Sequence, residues 1–228
     1  MAFTPLNMDR SKAVVVRPGD QAWLAAPQAP VKRWPLEREA PEQGQVTSLV
    51  EYLPAAEFPR HRHPQGEEIL VLDGVFSDDS GDYPAGSYLR HPAGSEHTPF
   101  SRPGCVLFVK LNQFASGDSA LLRLHPQHLV WVPDALGREQ AELHRYGLEL
   151  TLLQHCPAGQ PLLLDSAAGG ELLVLTGQLV DAAGESYPAL SWVRDPQLGM
   201  GGWRAVTDCR VLLKLGSLRR LQQSATTD

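Results

Sequence analysis

The chain has 228 residues, a length that fits one large domain or two of about 110 residues, each able to bury a core. Its formal net charge of -6, with Lys and Arg scattered, excludes the basic footprint of a nucleic-acid binder. Apolar residues make up 43% of it, but no run approaches the roughly 18 residues of a membrane span and the amino end has no signal-peptide pattern, so a soluble cytoplasmic protein is expected.

The 20 Gly and 19 Pro fall between short apolar runs, the pattern of short strands joined by turns. In chain order, strands are predicted at residues 12–16, 46–53 and 68–72, followed by turn signals at Asp73-Gly74, Asp78-Asp79-Ser80-Gly81 and Pro84-Ala85-Gly86. A strand at residues 106–111 comes next. Residues 134–146, DALGREQAELHRY, begin with an acidic cap and predict a short connecting helix. Beyond it, residues 149–154, 171–175 and 211–215 again predict strands, and the end SLRRLQQSATTD, the second stretch that looks helical, is expected to fray. The whole reads as all-β, a sandwich or barrel. Cys105, Cys156 and Cys209 form no CxxC pair and, being odd in number, no disulfide framework. Cys105 and Cys209, beside apolar runs, are expected to be buried structural thiols.

The sequence repeats itself. At an offset of 103, Leu49, Pro54 and Ala55 recur as Leu152, Pro157 and Ala158, and Glu68, Leu70, Val71, Leu72 and Gly74 recur as Glu171, Leu173, Val174, Leu175 and Gly177. After a one-residue insertion the offset is 104, and Tyr83-Pro84, Arg90, Cys105 and Lys110-Leu111 recur as Tyr187-Pro188, Arg194, Cys209 and Lys214-Leu215. A period near one domain length implies tandem copies of a whole fold. The boundary is placed near residue 117, giving domains 1–116 and 117–228.

Residues 60–74 of the first copy read RHRHPQGEEILVLDG, and residues 86–97 read GSYLRHPAGSEH. On a strand, His61 and His63 share one face about 7 Å apart, while Arg60 and Arg62 point away. After the Pro64-Gln65-Gly66 turn, Glu67 opens the returning strand on the face of Ile69 and Val71, with Glu68 on the opposite face. His97, after the Pro92-Ala93-Gly94 turn, supplies a third imidazole. Three imidazoles and one carboxylate suit one divalent metal ion, among Zn, Fe, Mn, Ni, Co and Cu. In the second copy the corresponding residues are Leu164, Ser166, Gly170 and Gly201, so that copy is expected to bind no metal. His155 and Cys156 sit at the places of Tyr52 and Leu53, on a strand of their own. His91, His125, His128 and His144 lack companions at ligand spacing and read as surface or hydrogen-bonded histidines.

These residues resemble the two motifs of the cupin superfamily. The pattern G(X)5HXH(X)3-4E(X)6G is matched from His61 through His63 and Glu67 to Gly74, with Ala55 in place of the leading glycine. The pattern G(X)5PXG(X)2H(X)3N is matched at Gly86, Pro92, Gly94 and His97, with Ser101 in place of the final Asn. The resemblance implies two tandem cupin barrels of the double-stranded β-helix, or jelly-roll, type. More narrowly, residues 31–111 are similar to the cupin domain of ChrR-type anti-sigma factors and their free-standing relatives. In that family three His and one Glu hold zinc, which implies zinc foremost at His61, His63, Glu67 and His97. Those anti-sigma factors also carry an amino-terminal helical domain with a His-x3-Cys-x2-Cys motif. Nothing in residues 1–40 resembles it, which argues against sigma-factor binding of that kind.

Two functions follow from the resemblance. One is a regulatory or sensing module, responding to a small molecule or to oxidative stress. The other is a metal-dependent dioxygenase cleaving a small diketone or aromatic ketone, as free-standing relatives do. No separate catalytic acid or base can be named, so the sequence leaves enzymatic activity undecided; a storage or purely structural cupin ranks below both. The second domain is expected to cover the first or to form a homodimer surface.

Overall fold

The structure, a computed structural model, describes residues 3–26, 30–40, 44–165 and 167–224. It divides into two compact units, Met1–Met8 with Gln21–His128, and Asp9–Asp20 with Leu129–Asp228. In chain order, β1 (Val14–Val16) belongs to the second unit. The first unit holds β2 (Leu24–Ala25), β3 (Val31–Arg38), β4 (Val46–Tyr52), β5 (Ala56–Glu57), β6 (His61–Arg62), β7 (Glu67–Asp78), β8 (Gly81–Pro84), β9 (Tyr88–His91), β10 (Glu96–His97), β11 (Phe100–Ser101), β12 (Cys105–Leu111) and β13 (Leu122–Leu124). The second unit continues with β14 (Val132–Pro133), β15 (Glu139–Tyr146), β16 (Glu149–Cys156), β17 (Gly170–Thr176), β18 (Gln178–Val180), β19 (Ser186–Pro188), β20 (Trp192–Asp195), β21 (Arg204–Ala205), β22 (Cys209–Leu215) and the helix α1 (Ser217–Ser224).

In the first unit the large antiparallel sheet runs β13-β9-β7-β12-β4-β3-β2. Strand β7 serves two sheets. Up to Gly74 it pairs with β12 and β9, and from Val75 onward it pairs with β8 and touches β11. Gly74 makes the corner possible. Its φ is 70°, and a Cβ there would lie 2.1 Å from the Gly104 carbonyl oxygen. Val50, Ile69, Val71, Phe76, Leu89, Leu107 and Val109 fill the interior, with the irregularity before Gly74 turning Phe76 inward on the parity opposite to that of Ile69 and Val71.

The second unit has the same strand order, β1-β20-β17-β22-β16-β15-β14, with β19-β18-β21 as its smaller sheet. Gly177 repeats the corner, at φ 79° and with a Cβ position 2.3 Å from the Asp208 carbonyl oxygen. Its interior holds an apolar cluster with Leu152, Leu162, Leu172, Val174, Leu198, Trp203 and Leu213 among its members. Two compact antiparallel units with matching strand order, related by the repeat offset, are therefore present.

Three details differ from expectation. The first unit runs past residue 117 to His128, because β13 pairs with the edge strand β9, Leu122 opposite Arg90. The equivalent edge strand β20 is covered by β1 instead, with Val14 opposite Arg194, so residues 9–20 belong to the second unit. Residues 134–146 form no helix. Ala141 and Leu143 are buried at alternate positions of β15 against β16, and this period-two packing overrides the helical propensity of their charged neighbours. The carboxyl end is helical as read, and Leu218 and Leu221, three residues apart on α1, are buried and anchor it. Residues 225–228 lie outside the described residues.

Candidate metal centre

Strands β6 and β10 pair with His61 directly opposite His97, and the Pro92-Ala93-Gly94 turn is tied back to His63 by two backbone hydrogen bonds. Strand β7 then enters with Glu67 inward, one pleat from Ile69. The three imidazole rings converge, with centroids 5.0 Å apart for His61 and His63, 4.9 Å for His61 and His97, and 4.7 Å for His63 and His97. Glu67 Oε2 lies 3.2 Å from His63 Nε2 and 3.5 Å from His97 Nε2. One potential ligand atom from each of His61, His63, Glu67 and His97 lies within 4.8 Å of all the others. The structure thus brings together all four residues that the sequence singled out.

The far nitrogens explain why the near ones are available. His61 Nδ1 is 3.0 Å from the Pro59 carbonyl oxygen, and His63 Nδ1 is 3.1 Å from Ser95 Oγ. The Ser95 hydroxyl donates to the Pro92 carbonyl at 2.6 Å, so toward His63 it acts as an acceptor. His97 Nδ1 faces Asp78 Oδ2 at 3.5 Å. For His61 and His63 these oxygen acceptors on Nδ1 hold the proton there and leave Nε2 with a lone pair. In His63 and His97 Nε2 is buried and has no hydrogen-bond partner. A buried polar atom left in this state is costly, and a divalent ion would satisfy both. The residues present therefore fit such an ion.

Two further residues belong to the cluster, and the sequence reading missed both. His91 is 2% exposed, its Nδ1 3.1 Å from Glu67 Oε2, which corrects its reading as a histidine without companions. Asp78, read only as part of a turn, is buried and faces both His91 and His97. Strand parity carried a signal for His91, which shares the inward face of Leu89, but not for Asp78, because the irregularity between Val71 and Asp73 reverses the parity counted from Glu67. Glu68 has a setting that face parity alone does not give. It does lie on the opposite face from Glu67, but that face is buried too. There the Tyr88 hydroxyl donates to Glu68 Oε1 at 3.0 Å and Arg90 approaches Oε2 at 3.5 Å.

In the second unit Leu164 stands at the place of His61 and Gly170 at that of Glu67. A Cβ on Gly170 would lie 2.1 Å from the Lys214 carbonyl oxygen. At the place of His97, a Cβ on Gly201 would meet the Trp203 ring at 2.4 Å. Ser166, at the place of His63, lies outside the described residues. His155 faces Glu139, and the Cys156 thiol donates to the Gln160 carbonyl. Among the described residues no group in this unit could hold a metal. Cys105, Cys156 and Cys209 are free, buried thiols, and burial pushes the pKa of each upward.

Charge in the metal-free cluster is set by burial against contact. Burial lowers His63 to about 4, outweighing the attraction of Glu67. Burial would raise Glu67, but the hydrogen bond to His91 and the nearby His63 and His97 bring it to about 2. His91 is raised to about 9, because Asp78 and Glu67 outweigh its burial. Asp78 opposes its own burial in the same way and lies well below the ordinary range. The raised His91 stabilises the fold below about pH 6.5, an effect lost as pH rises through 9. The depressed His63 favours the unfolded chain as pH falls from 6.5 toward 4, and the stabilisation from Glu67 is lost as pH falls from 4.5 toward 2. Denaturation of the metal-free protein should therefore be hardest near pH 6.5, and the alkaline decline should shrink in His91→Gln. An alkaline limb identical in both proteins would contradict this assignment.

The sequence of residues 11–115 matches the family model described as the ChrR cupin-like domain. No curated protein matches the sequence. Among solved structures the chain is similar to the bacterial pirin YhhW of Escherichia coli, determined in complex with nickel(II), at 13% identity over 90% of this chain and 98% of that one, with a TM-score of 0.65. It is similar to the oxalate decarboxylase of Lactobacillus farciminis in its formate complex, at 11% identity over 93% and 89%, with a TM-score of 0.58. It is also similar to a dioxygenase candidate of Nostoc punctiforme, at 14% identity over 93% and 82%, with a TM-score of 0.64. At these identities the likeness is one of fold alone.

Proposed function

We propose, from the match of residues 11–115 to the ChrR cupin-like domain and from the fold shared with cupin structures, that the first unit binds one divalent metal ion through His61, His63, Glu67 and His97 and acts as a regulatory or sensing module for a small molecule or an oxidant. The observation that carries the reading is the pair of buried, unpartnered Nε2 atoms of His63 and His97 directed toward Glu67. When bound, the ion supplies a Lewis acid with one or two positions left for an outside ligand. The protein's part is orientation. Pro59, Ser95 and Asp78 fix the rings from behind, and His91 holds the carboxylate. Zinc is the first choice, and Fe, Mn, Ni, Co and Cu suit the same donors.

The second reading is a metal-dependent dioxygenase acting on a small diketone or aromatic ketone. It is favoured by aromatic rings beside the imidazoles, with Phe58 5.2 Å from His61 and Phe76 6.0 Å from His97 by ring centroids. Such rings offer an apolar wall to a ketone side chain. Elemental analysis of protein purified without chelators separates the two. The regulatory reading expects tightly held zinc near one ion per chain and no oxygen uptake with a panel of diketones and phenolic ketones. Iron, manganese, nickel or copper with oxygen uptake would replace it with the enzyme. A chain that retains no divalent ion, and takes none up on reloading, would remove both.

A further inference from the structure

We infer that Asp78 and His91 act as a positioning pair that sets how strongly His97 and Glu67 hold the ion; the inference rests on the metal-binding reading above. Four side chains close a ring. His91 Nδ1 is 3.1 Å from Glu67 Oε2, His91 Nε2 is 3.7 Å from Asp78 Oδ2, Asp78 Oδ2 is 3.5 Å from His97 Nδ1, and His97 Nε2 is 3.5 Å from Glu67 Oε2. All four are buried, between 2% and 7% exposed. An anion behind a ligating imidazole fixes its orientation and raises its basicity, and an N–H on a ligating carboxylate fixes that ligand in turn. The two Asp78 separations are longer than formed hydrogen bonds. The weight of Asp78 is therefore that of a negative charge facing two imidazoles from a water-poor interior, where such charges act strongly.

The second unit separates this role from a purely structural one. Asp78 Oδ1 accepts the Ser80 amide at 2.7 Å and the Tyr83 hydroxyl at 3.3 Å. Asp181, its counterpart at offset 103, accepts the amides of Ala183 and Glu185 at 2.9 Å each, and the Tyr187 hydroxyl at 2.9 Å. Holding the turn and the tyrosine is thus a property of the fold, kept in the unit that has no histidines at the site. Asp195 and Gly201 stand there at the places of His91 and His97. The contact of Asp78 Oδ2 with two imidazoles has no counterpart. The same atoms, Asp78 with His91 and His97, are close enough together to ligate an ion themselves. That arrangement would put His97 between two ions as an imidazolate, whereas with one ion Asp78 Oδ2 simply faces two N–H groups.

The test uses metal-stripped full-length protein titrated with zinc, and the visible absorption of the Co(II)-loaded form. Wild type is expected to take up one ion per chain. Asp78→Asn keeps an oxygen for the turn but removes the charge, and should weaken zinc binding roughly 10–100-fold and shift the Co(II) band. His91→Phe should also weaken binding and shift the band. His91→Asn, which keeps an N–H toward Glu67, should recover part of the loss. Asp181→Asn should leave affinity and band unchanged. If Asp78→Asn and Asp181→Asn lower the thermal midpoint of the metal-free protein alike and neither changes affinity or band, the role is structural and the inference falls. Two ions per wild-type chain would also overturn it, by making the pair ligands. A wild-type chain that binds no ion fails the metal reading itself, a distinct result. Should Asp78→Asn not fold, the two His91 variants decide, and wild-type affinity in both would be fatal.

Discussion

Glu67→Gln is expected to weaken zinc binding by the metal-stripped protein more than about 100-fold, beyond the range typical of outer residues around a metal, while Glu68→Gln leaves it nearly unchanged. The two carboxylates are chain neighbours, so period two sends them to opposite faces of β7. Glu67 is the anionic donor facing His63 and His97, and its loss leaves three neutral imidazoles to hold a dication. Glu68 faces Tyr88 and Arg90 across a sheet that separates it from the cluster. The second variant will still have a phenotype. Because Glu68 is buried and bonded to a cation, removing its charge should cost about 1.5–3 kcal/mol of stability, where an exposed carboxylate would cost at most about 0.5 kcal/mol. Calorimetric zinc titration and urea denaturation of both variants give four readings. Lost binding at position 68 with retained binding at 67 would mean that the register of β7 is wrong by one residue.

His61→Ala is expected to abolish the stabilisation of the protein by zinc, and Ser166→Ala to preserve it. An ion that binds only the folded chain stabilises it by about 2.7 kcal/mol when its free concentration is 100 times Kd. Deleting one of four donors raises Kd, so at the same zinc concentration the variant's denaturation midpoint should match that of its metal-free form. His61 suits this test because it is only partly buried, beside Phe58, so its truncation leaves a smaller void than that of His63 or His97. Ser166 is the second-copy counterpart of His63. The residues equivalent to the other three ligands are Leu164, Gly170 and Gly201, none of which has a metal-ligating side chain. Equal loss of the zinc effect in both variants would reveal a ligand in the second unit.

Much of this protein is local information. Strand by strand, the short apolar runs around Val46, Glu68, Val106, Glu171 and Val211 are present in the sequence, because a strand buried on both faces reads as a near-continuous apolar segment. The repeat is legible for the same reason, since each copy must rebuild the same corner at Gly74 and Gly177, where any Cβ would strike a backbone carbonyl. The four candidate ligands are legible because His61, His63 and Glu67 lie within seven residues of one another and His97 follows a turn marked by Pro92 and Gly94. What the sequence left open depends on partners distant in the chain. Parity states which face a residue takes, but not whether that face meets solvent. Glu68 was therefore legible as opposite to Glu67 and illegible as buried, because only the assembled sheet brings Arg90 and Tyr88 over it. His91 and Asp78 acquire their meaning where β7 and β9 close on the ends of β6 and β10, a meeting of segments that no spacing rule encodes. Residues 139–146 carry helix-forming side chains and became a strand because β16 offered an edge to complete. Residues 14–16 were legible as a strand, but which barrel they join was settled by tertiary structure alone, since both barrels present an edge of the same register, Arg90 in one and Arg194 in the other, and the chain covers the first with β13 and the second with β1.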